Sequence, residues 1–129
     1  MKLEYSYSRG DSMAQFPVKD LQNVIRQELQ AAKQSREQGN EGKARVCARR
    51  AAGWAAESIY DGEQHLPESN AYRFLIWFRE QDDLPAELRK AADRLTTRVR
   101  EDFSLPFDQD PIEDAELIVE WILAHGGLS

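Results

Sequence analysis

The chain has 129 residues, the length of one ordinary domain, and its 41% hydrophobic and 31% charged residues are typical of a soluble globular protein. The single cysteine, Cys47, excludes an internal disulfide, and with only His65 and His125 beside it the chain lacks the ligands of a Cys/His zinc site. The net charge of −6 argues against general nucleic-acid affinity, which needs a net basic surface.

The charge is distributed unevenly. Residues 41–56 carry four bases and one acid, residues 84–100 carry five bases and two acids, and residues 101–129 carry eight acids without any Lys or Arg. Two basic segments and an acidic last quarter can neutralise each other within the chain or across a homodimer.

The sequence predicts neither a secretory signal nor a membrane-spanning segment. Residues 1–11 include four charged residues and no apolar block, and no stretch approaches the ~20 apolar residues that span a bilayer. The sequence therefore predicts a cytoplasmic protein without membrane contact.

Apolar residues at three- and four-residue spacing predict four to five helices. Alternation in the first residues indicates a short extended arm over residues 1–15. The expected helices cover approximately residues 17–38, 41–60, 69–81, 85–101 and 111–124.

Local signals support several of these helix ends. Gly39 ends the first helix and Asn40 can cap the second, while Asp110 and Pro111 are suited to the cap and first residue of the last helix. With short connections and no convincing sheet, residues 1–129 are predicted to form a single all-α domain, an antiparallel bundle. The inward stripe of the second helix consists mostly of small residues, namely Ala44, Cys47, Ala48, Ala51, Ala55 and Ile59, and that of the last helix of Ile112, Ala115, Val119, Ile122 and Leu123.

Two segments, GKARVCARRAAGWA (residues 42–55) and DPIEDAELIVEWI (residues 110–122), resemble small prokaryotic HEPN-domain proteins. The resemblance covers most of residues 15–125. It implies a helical bundle that commonly dimerises and that acts in many members as a ribonuclease, or as a partner of a nucleotidyltransferase in a toxin–antitoxin pair.

The chain departs from that family at the nuclease motif, an Arg followed by four to six residues and then a His. His65 would need an Arg at positions 58–60, and His125 would need one at positions 118–120; neither segment contains an Arg. The resemblance therefore implies a member that lacks the nuclease motif.

Apolar residues also occur outside the main stripes of the third and last helices. Either each of these helices lies between two neighbours, or the additional face binds a partner, for which a second copy of the chain is the simplest choice. The predicted partner-binding residues are Tyr72, Ile76, Trp77, Leu117, Trp121 and Ala124.

Lys90, Arg94 and Arg98 stand four residues apart on the fourth helix, opposite its apolar stripe. They can form an anion-binding ridge for RNA or nucleotide phosphate, or a solvated face neutralised by nearby acids. Arg45 and Arg49 on the second helix are expected to lay their stems along the apolar surface with their charges in water.

Capping and first-turn electrostatics explain the acids around Asp110, so no metal site is predicted there. No catalytic residues and no cofactor are predicted either. The sequence thus favours a non-enzymatic interaction or dimerisation module. The alternative hypothesis is an enzyme of toxin–antitoxin type that acts on RNA or nucleotide phosphate through Arg94 and Arg98.

Overall fold

The computed structural model describes residues 18–60, 71–97 and 109–125. These residues form a bundle of helices and contain no strand, which confirms the predicted all-α fold; the predicted arm lies outside them. None of the described helices has the length and apolarity needed to cross a bilayer. In chain order the helices are α1 (Val18–Glu37), α2 (Glu41–Glu57), α3 (Ala71–Arg79), α4 (Ala86–Thr96) and α5 (Pro111–Ala124).

The predicted helix caps are present. The side chain of Asn40 accepts a hydrogen bond from the backbone N–H of Lys43 at 3.0 Å, and that of Asp110 accepts one from Ile112 at 2.9 Å. Gly39 adopts a φ of 81°, a left-handed conformation that ends α1 and favours glycine. Local side-chain chemistry therefore sets both ends of the α1–α2 connection and the start of α5.

Helix α4 is shorter than its predicted range, because it ends at Thr96 instead of residue 101. The Thr96 hydroxyl donates to the carbonyl oxygen of Ala92 at 2.8 Å, and the Thr97 hydroxyl donates to that of Asp93 at 2.7 Å. Thr97 itself is extended, as β-branched residues prefer. The apolar spacing that suggested a longer helix did not account for these two threonines.

Helix α2 is the centre of the bundle and packs against each of the other described helices. Its predicted stripe is buried, apart from the half-buried Ile59 beyond the helix end. The helix is also buried outside that stripe, so the prediction of a single inward face was incomplete. The additional buried residues are Arg45, Ala52, Gly53, Trp54, Ala56 and Glu57.

Small residues allow the neighbours of α2 to approach closely. A Cβ atom at Gly53 would overlap the backbone and the Cβ of Ala71, the first residue of α3. Glycine is therefore required at position 53 by contact between helices, since the position lies inside a helix and does not need a left-handed conformation. This contact fixes the start of α3 beside α2.

Helices α3 and α5 each lie between α2 and α4. On α5, Ile118 is fully buried although it was not in the predicted stripe, whereas Leu123, predicted to face inward, is 45% exposed. Leu123 borders a cleft of about 120 Å³ between α5 and α1. The apolar residues of α5 thus pack against two neighbouring helices, α2 and α4, rather than against one.

Candidate functional site

The predicted partner-binding residues of α3 differ in their exposure. Tyr72 is 40% exposed, whereas Ile76 and Trp77 are half-buried. The Trp77 ring makes an edge contact with Tyr60, with 5.0 Å between ring centroids, and packs against the core. Of these three side chains, Tyr72 offers the most surface to a partner.

The predicted residues of α5 are also engaged within the chain. Leu117 and Trp121 are half-buried and pack against the core, and Ala124 is exposed. The Trp121 ring lies between Phe78 at 5.9 Å and His125 at 4.2 Å. The structure therefore brings Trp121 to the end of α3 opposite Tyr72.

The predicted anion-binding ridge on α4, formed by Lys90, Arg94 and Arg98, is interrupted because Arg94 forms an ion pair within the chain. Arg94 donates from Nε and Nη2 to the two carboxylate oxygens of Asp114, at 2.9 and 2.8 Å. These hydrogen bonds raise the pKa of Arg94. Lys90 is exposed, and Arg98 lies outside the described residues. The charge of Arg94 is thus neutralised by the acidic last quarter of the chain.

Asp114 is only 2% exposed, so the ion pair with Arg94 lies inside the bundle between α4 and α5. The sequence placed this carboxylate in the first turn of α5, assigned it an interaction with the helix end, and included it in the acidic last quarter that was expected to neutralise the basic segments. The sequence did indicate that Asp114 faces inward, because it precedes Ile118 and Ile122, which are buried, by one and two helical turns.

Arg45 is the site residue that the sequence interpretation misplaced. The residue is only 6% exposed, so its guanidinium is largely shielded from water. Its Nη2 donates to the carbonyl oxygen of Arg94 and, at 2.8 Å, to that of Thr97. Carbonyls at a helix end lack partners within the helix, so Arg45 reaches from α2 to satisfy the end of α4.

The other terminal nitrogen of Arg45, Nη1, is buried and has no hydrogen-bond partner in the part of the chain that the structure describes. Burial lowers the pKa of Arg45, Arg49 lowers it further, and Asp114 acts in the opposite direction. Arginine nevertheless remains protonated at physiological pH. The guanidinium is therefore a buried cation, and Asp114, the carboxylate that favours its charge, is already bound by Arg94.

Arg49 follows Arg45 by one helical turn and is half-buried. Burial lowers its pKa, and the nearby Tyr72 partly offsets this effect. Within the described ranges Arg49 makes no hydrogen bond or ion pair. Arg45 and Arg49 thus each lack a carboxylate partner among the described residues.

Arg45 and Arg49 line a groove of about 480 Å³ between α2, the start of α3 and the end of α4, which we call the basic groove. The threonine hydroxyls in it already donate to backbone carbonyls of α4. The groove therefore combines two cations with exposed apolar surface, an arrangement suited to holding an anion. Its lining residues are Gly42, Arg45, Val46, Arg49, Tyr72, Thr96 and Thr97.

The acids considered for a metal site are separated by their partners. Asp110 accepts from Arg36 at 2.8 Å, and Asp114 accepts from Arg94. Among the described residues no three His, Cys, Asp or Glu side chains are grouped to hold a metal ion.

Comparison of the chain with protein-family models, curated proteins and solved structures finds no match. The basic groove is therefore interpreted from its own geometry.

Proposed function

We propose that this protein is a helical binding module that recognises a phosphate-type oxyanion of its ligand in the basic groove. The observation that carries the proposal is the buried Nη1 of Arg45, which has no partner among the described residues. The proposed module is non-enzymatic, as the sequence predicts, but it binds its ligand through a different surface.

An unpaired buried cation is costly, because its desolvation is not offset by a hydrogen bond or an opposite charge. The hydrogen bonds of Arg45 to α4 satisfy one terminal nitrogen and leave the other. An oxyanion bound at Nη1 would supply both the missing acceptor and the missing negative charge. The planar guanidinium fork suits phosphate oxygens well.

Arg49 supports the same ligand class. It stands one turn along α2 and lines the same groove, so both guanidinium groups can contact one anion. The phosphate chemistry that the sequence assigned to Arg94 and Arg98 is thereby assigned to α2, because Arg94 is held by Asp114. We propose binding without cleavage, in keeping with a HEPN-like bundle that lacks the nuclease motif.

Isothermal titration of the purified protein with inorganic phosphate at low ionic strength tests this proposal. We expect saturable binding to the wild type and an affinity at least about tenfold lower for Arg45→Gln, because a charge-assisted hydrogen bond is lost. Arg50→Gln is the matched control, since Arg50 lies on the same helix but pairs with Glu28 at 3.0 Å.

Arg45 also caps α4, so its replacement could unfold the protein. Arg49→Gln removes the second cation without removing a described hydrogen bond, and circular dichroism verifies the fold of both variants. Equal phosphate affinity in the wild type, Arg45→Gln and Arg49→Gln, or no binding at millimolar phosphate, would contradict the proposal.

Homodimerisation through α3 and α5 is a separate proposal, supported by the exposed Ala124 at the end of α5. Light scattering should give the mass of a dimer for the wild type and that of a monomer for Ala124→Arg, which places a charge in the interface without removing a core contact. A wild-type monomer would contradict the dimer and would leave the anion proposal standing.

A further inference from the structure

We infer that the ligand of the basic groove is an aryl phosphate, in which the phosphate is attached directly to an aromatic ring. This inference rests on the proposed function, since it identifies the organic part of a ligand whose anion binds Arg45 and Arg49.

The size of the groove indicates more than an inorganic ion. Its volume of about 480 Å³ lies within the range of about 300–1,000 Å³ that is usual for sites binding organic molecules. A phosphate ion held by the two arginines would leave most of this volume to the rest of the ligand.

The side chains that line the rest of the groove indicate that the organic part of the ligand is apolar. Tyr72 and Val46, which are 40% and 37% exposed, both line the groove. The other exposed large hydrophobic residue of the described chain, Leu123, lies on α5 outside this groove. Exposed apolar side chains beside convergent polar groups are typical of a ligand site, and a tyrosine ring is well suited to contact another ring.

The apolar surface begins next to the cations. Tyr72 is close enough to Arg49 to influence its pKa, and Val46 is the chain neighbour of Arg45. A ring bonded to the phosphate ester oxygen can therefore contact Tyr72 while the phosphate contacts Arg45 and Arg49. A nucleotide places a ribose between its phosphate and its base, so its ring would lie farther from the arginines.

Titration of the full chain with phenyl phosphate, inorganic phosphate and adenosine monophosphate tests this inference. We expect phenyl phosphate to bind the wild type about tenfold more tightly than inorganic phosphate, and more tightly than adenosine monophosphate. Tyr72→Ala should lower the affinity for phenyl phosphate more than that for inorganic phosphate, so that the preference for phenyl phosphate is lost. Leu123→Ala is the control and should bind all three compounds as the wild type does.

A short peptide containing phosphotyrosine distinguishes two sources of the same chemistry. Binding comparable to that of phenyl phosphate identifies a protein side chain as the ligand, whereas exclusion of the peptide identifies a free small molecule; both results agree with the inference.

Equal affinities for phenyl phosphate and inorganic phosphate would overturn the inference and leave the proposed function intact. Tighter binding of adenosine monophosphate than of phenyl phosphate, or an unchanged preference in Tyr72→Ala, would also overturn it. If inorganic phosphate does not bind at all, the proposed function itself is wrong.

Discussion

The arginines on the two sides of α2 differ in their burial and in their partners. On the side facing α1, Arg50 pairs with Glu28 at 3.0 Å although its side chain is 42% exposed. On the side facing α4, Arg45 is buried and its Nη1 has no partner among the described residues. Of these two arginines, the one that is more deeply buried is therefore the one without a carboxylate partner in the described part of the chain.

Selection for stability alone would produce the opposite arrangement, because an exposed pair contributes little and an unpaired buried charge is costly. The side of α2 with Arg50 needs nothing beyond the chain itself. A bound anion would supply the acceptor that Nη1 of Arg45 lacks among the described residues, which is why we propose the site on this side.

The largest expected effect comes from Asp114, the buried carboxylate beside the basic groove. Asp114→Asn leaves the ion-pair partner Arg94 uncompensated and removes the charge that partly offsets Arg45, so the free energy of unfolding should fall by about 3–5 kcal/mol. Urea denaturation measures the change.

Glu113→Gln is the control for this experiment, because Glu113 is exposed on the same turn of α5 and should change stability by less than about 0.5 kcal/mol. Added phosphate should restore part of the stability lost in Asp114→Asn, since the anion replaces the missing charge. Equal stabilities of the two variants would refute the structural role of Asp114.

The next largest loss of stability is expected for a substitution at Gly53, which tests how closely α3 packs against α2 beside the groove. Gly53→Ala introduces an overlap with Ala71 and should lower the free energy of unfolding by about 1–3 kcal/mol. Gly42→Ala is the matched variant on the same helix, where the new Cβ would meet only the Asn40 side chain at 3.8 Å. Thermal unfolding should show a loss for position 53 and no loss for position 42; equal losses would contradict the close contact.

On the side of α2 that faces α1, where Arg50 pairs with Glu28, we expect a smaller change in stability. Burial raises the pKa of Glu28, with Arg50 opposing the shift. Because the folded pKa exceeds the unfolded value near 4.3, ionisation makes the protein less stable as pH rises from that value through the folded pKa. Glu28→Gln should remove this pH dependence and change stability at pH 7 by no more than about 1 kcal/mol. A loss as large as that of Asp114→Asn would erase the distinction between the two sides.

The smallest effect concerns Arg36, a fully paired arginine at the end of α1. Its hydrogen bond to Asp110 holds the pKa of that carboxyl below the ordinary value. The resulting stabilisation is present above the unfolded pKa of about 3.9 and is lost as pH falls through the lower folded pKa. Asp110→Asn should therefore flatten the acid limb of a stability profile recorded from about pH 5 to 2; an unchanged limb would disprove the contribution of this pair.

The helices could be predicted because their signals are local. Spacing located all five, and the caps at Asn40 and Asp110 fixed two of their starts to the residue. The end of α4 was missed because hydroxyl-to-carbonyl bonds at Thr96 and Thr97 compete with the helix.

The site could not be predicted, because burial of a charged residue depends on which helices surround it. Spacing assigned Arg45 to the solvent, whereas α2 lies at the centre of the bundle. One signal was available: Arg45 begins a second row of small residues, Ala48, Ala52 and Ala56, at helical spacing. The pairing of Arg94 with Asp114, twenty residues apart, has no comparable local signature.

The most direct test of the central claim is a crystal structure of the wild-type protein grown with millimolar phosphate at low ionic strength. We predict a tetrahedral anion about 3 Å from Nη1 of Arg45 and also in contact with Arg49. A structure in which Nη1 is instead bound by a carboxylate of the same chain, with no anion in the basic groove, would contradict the account.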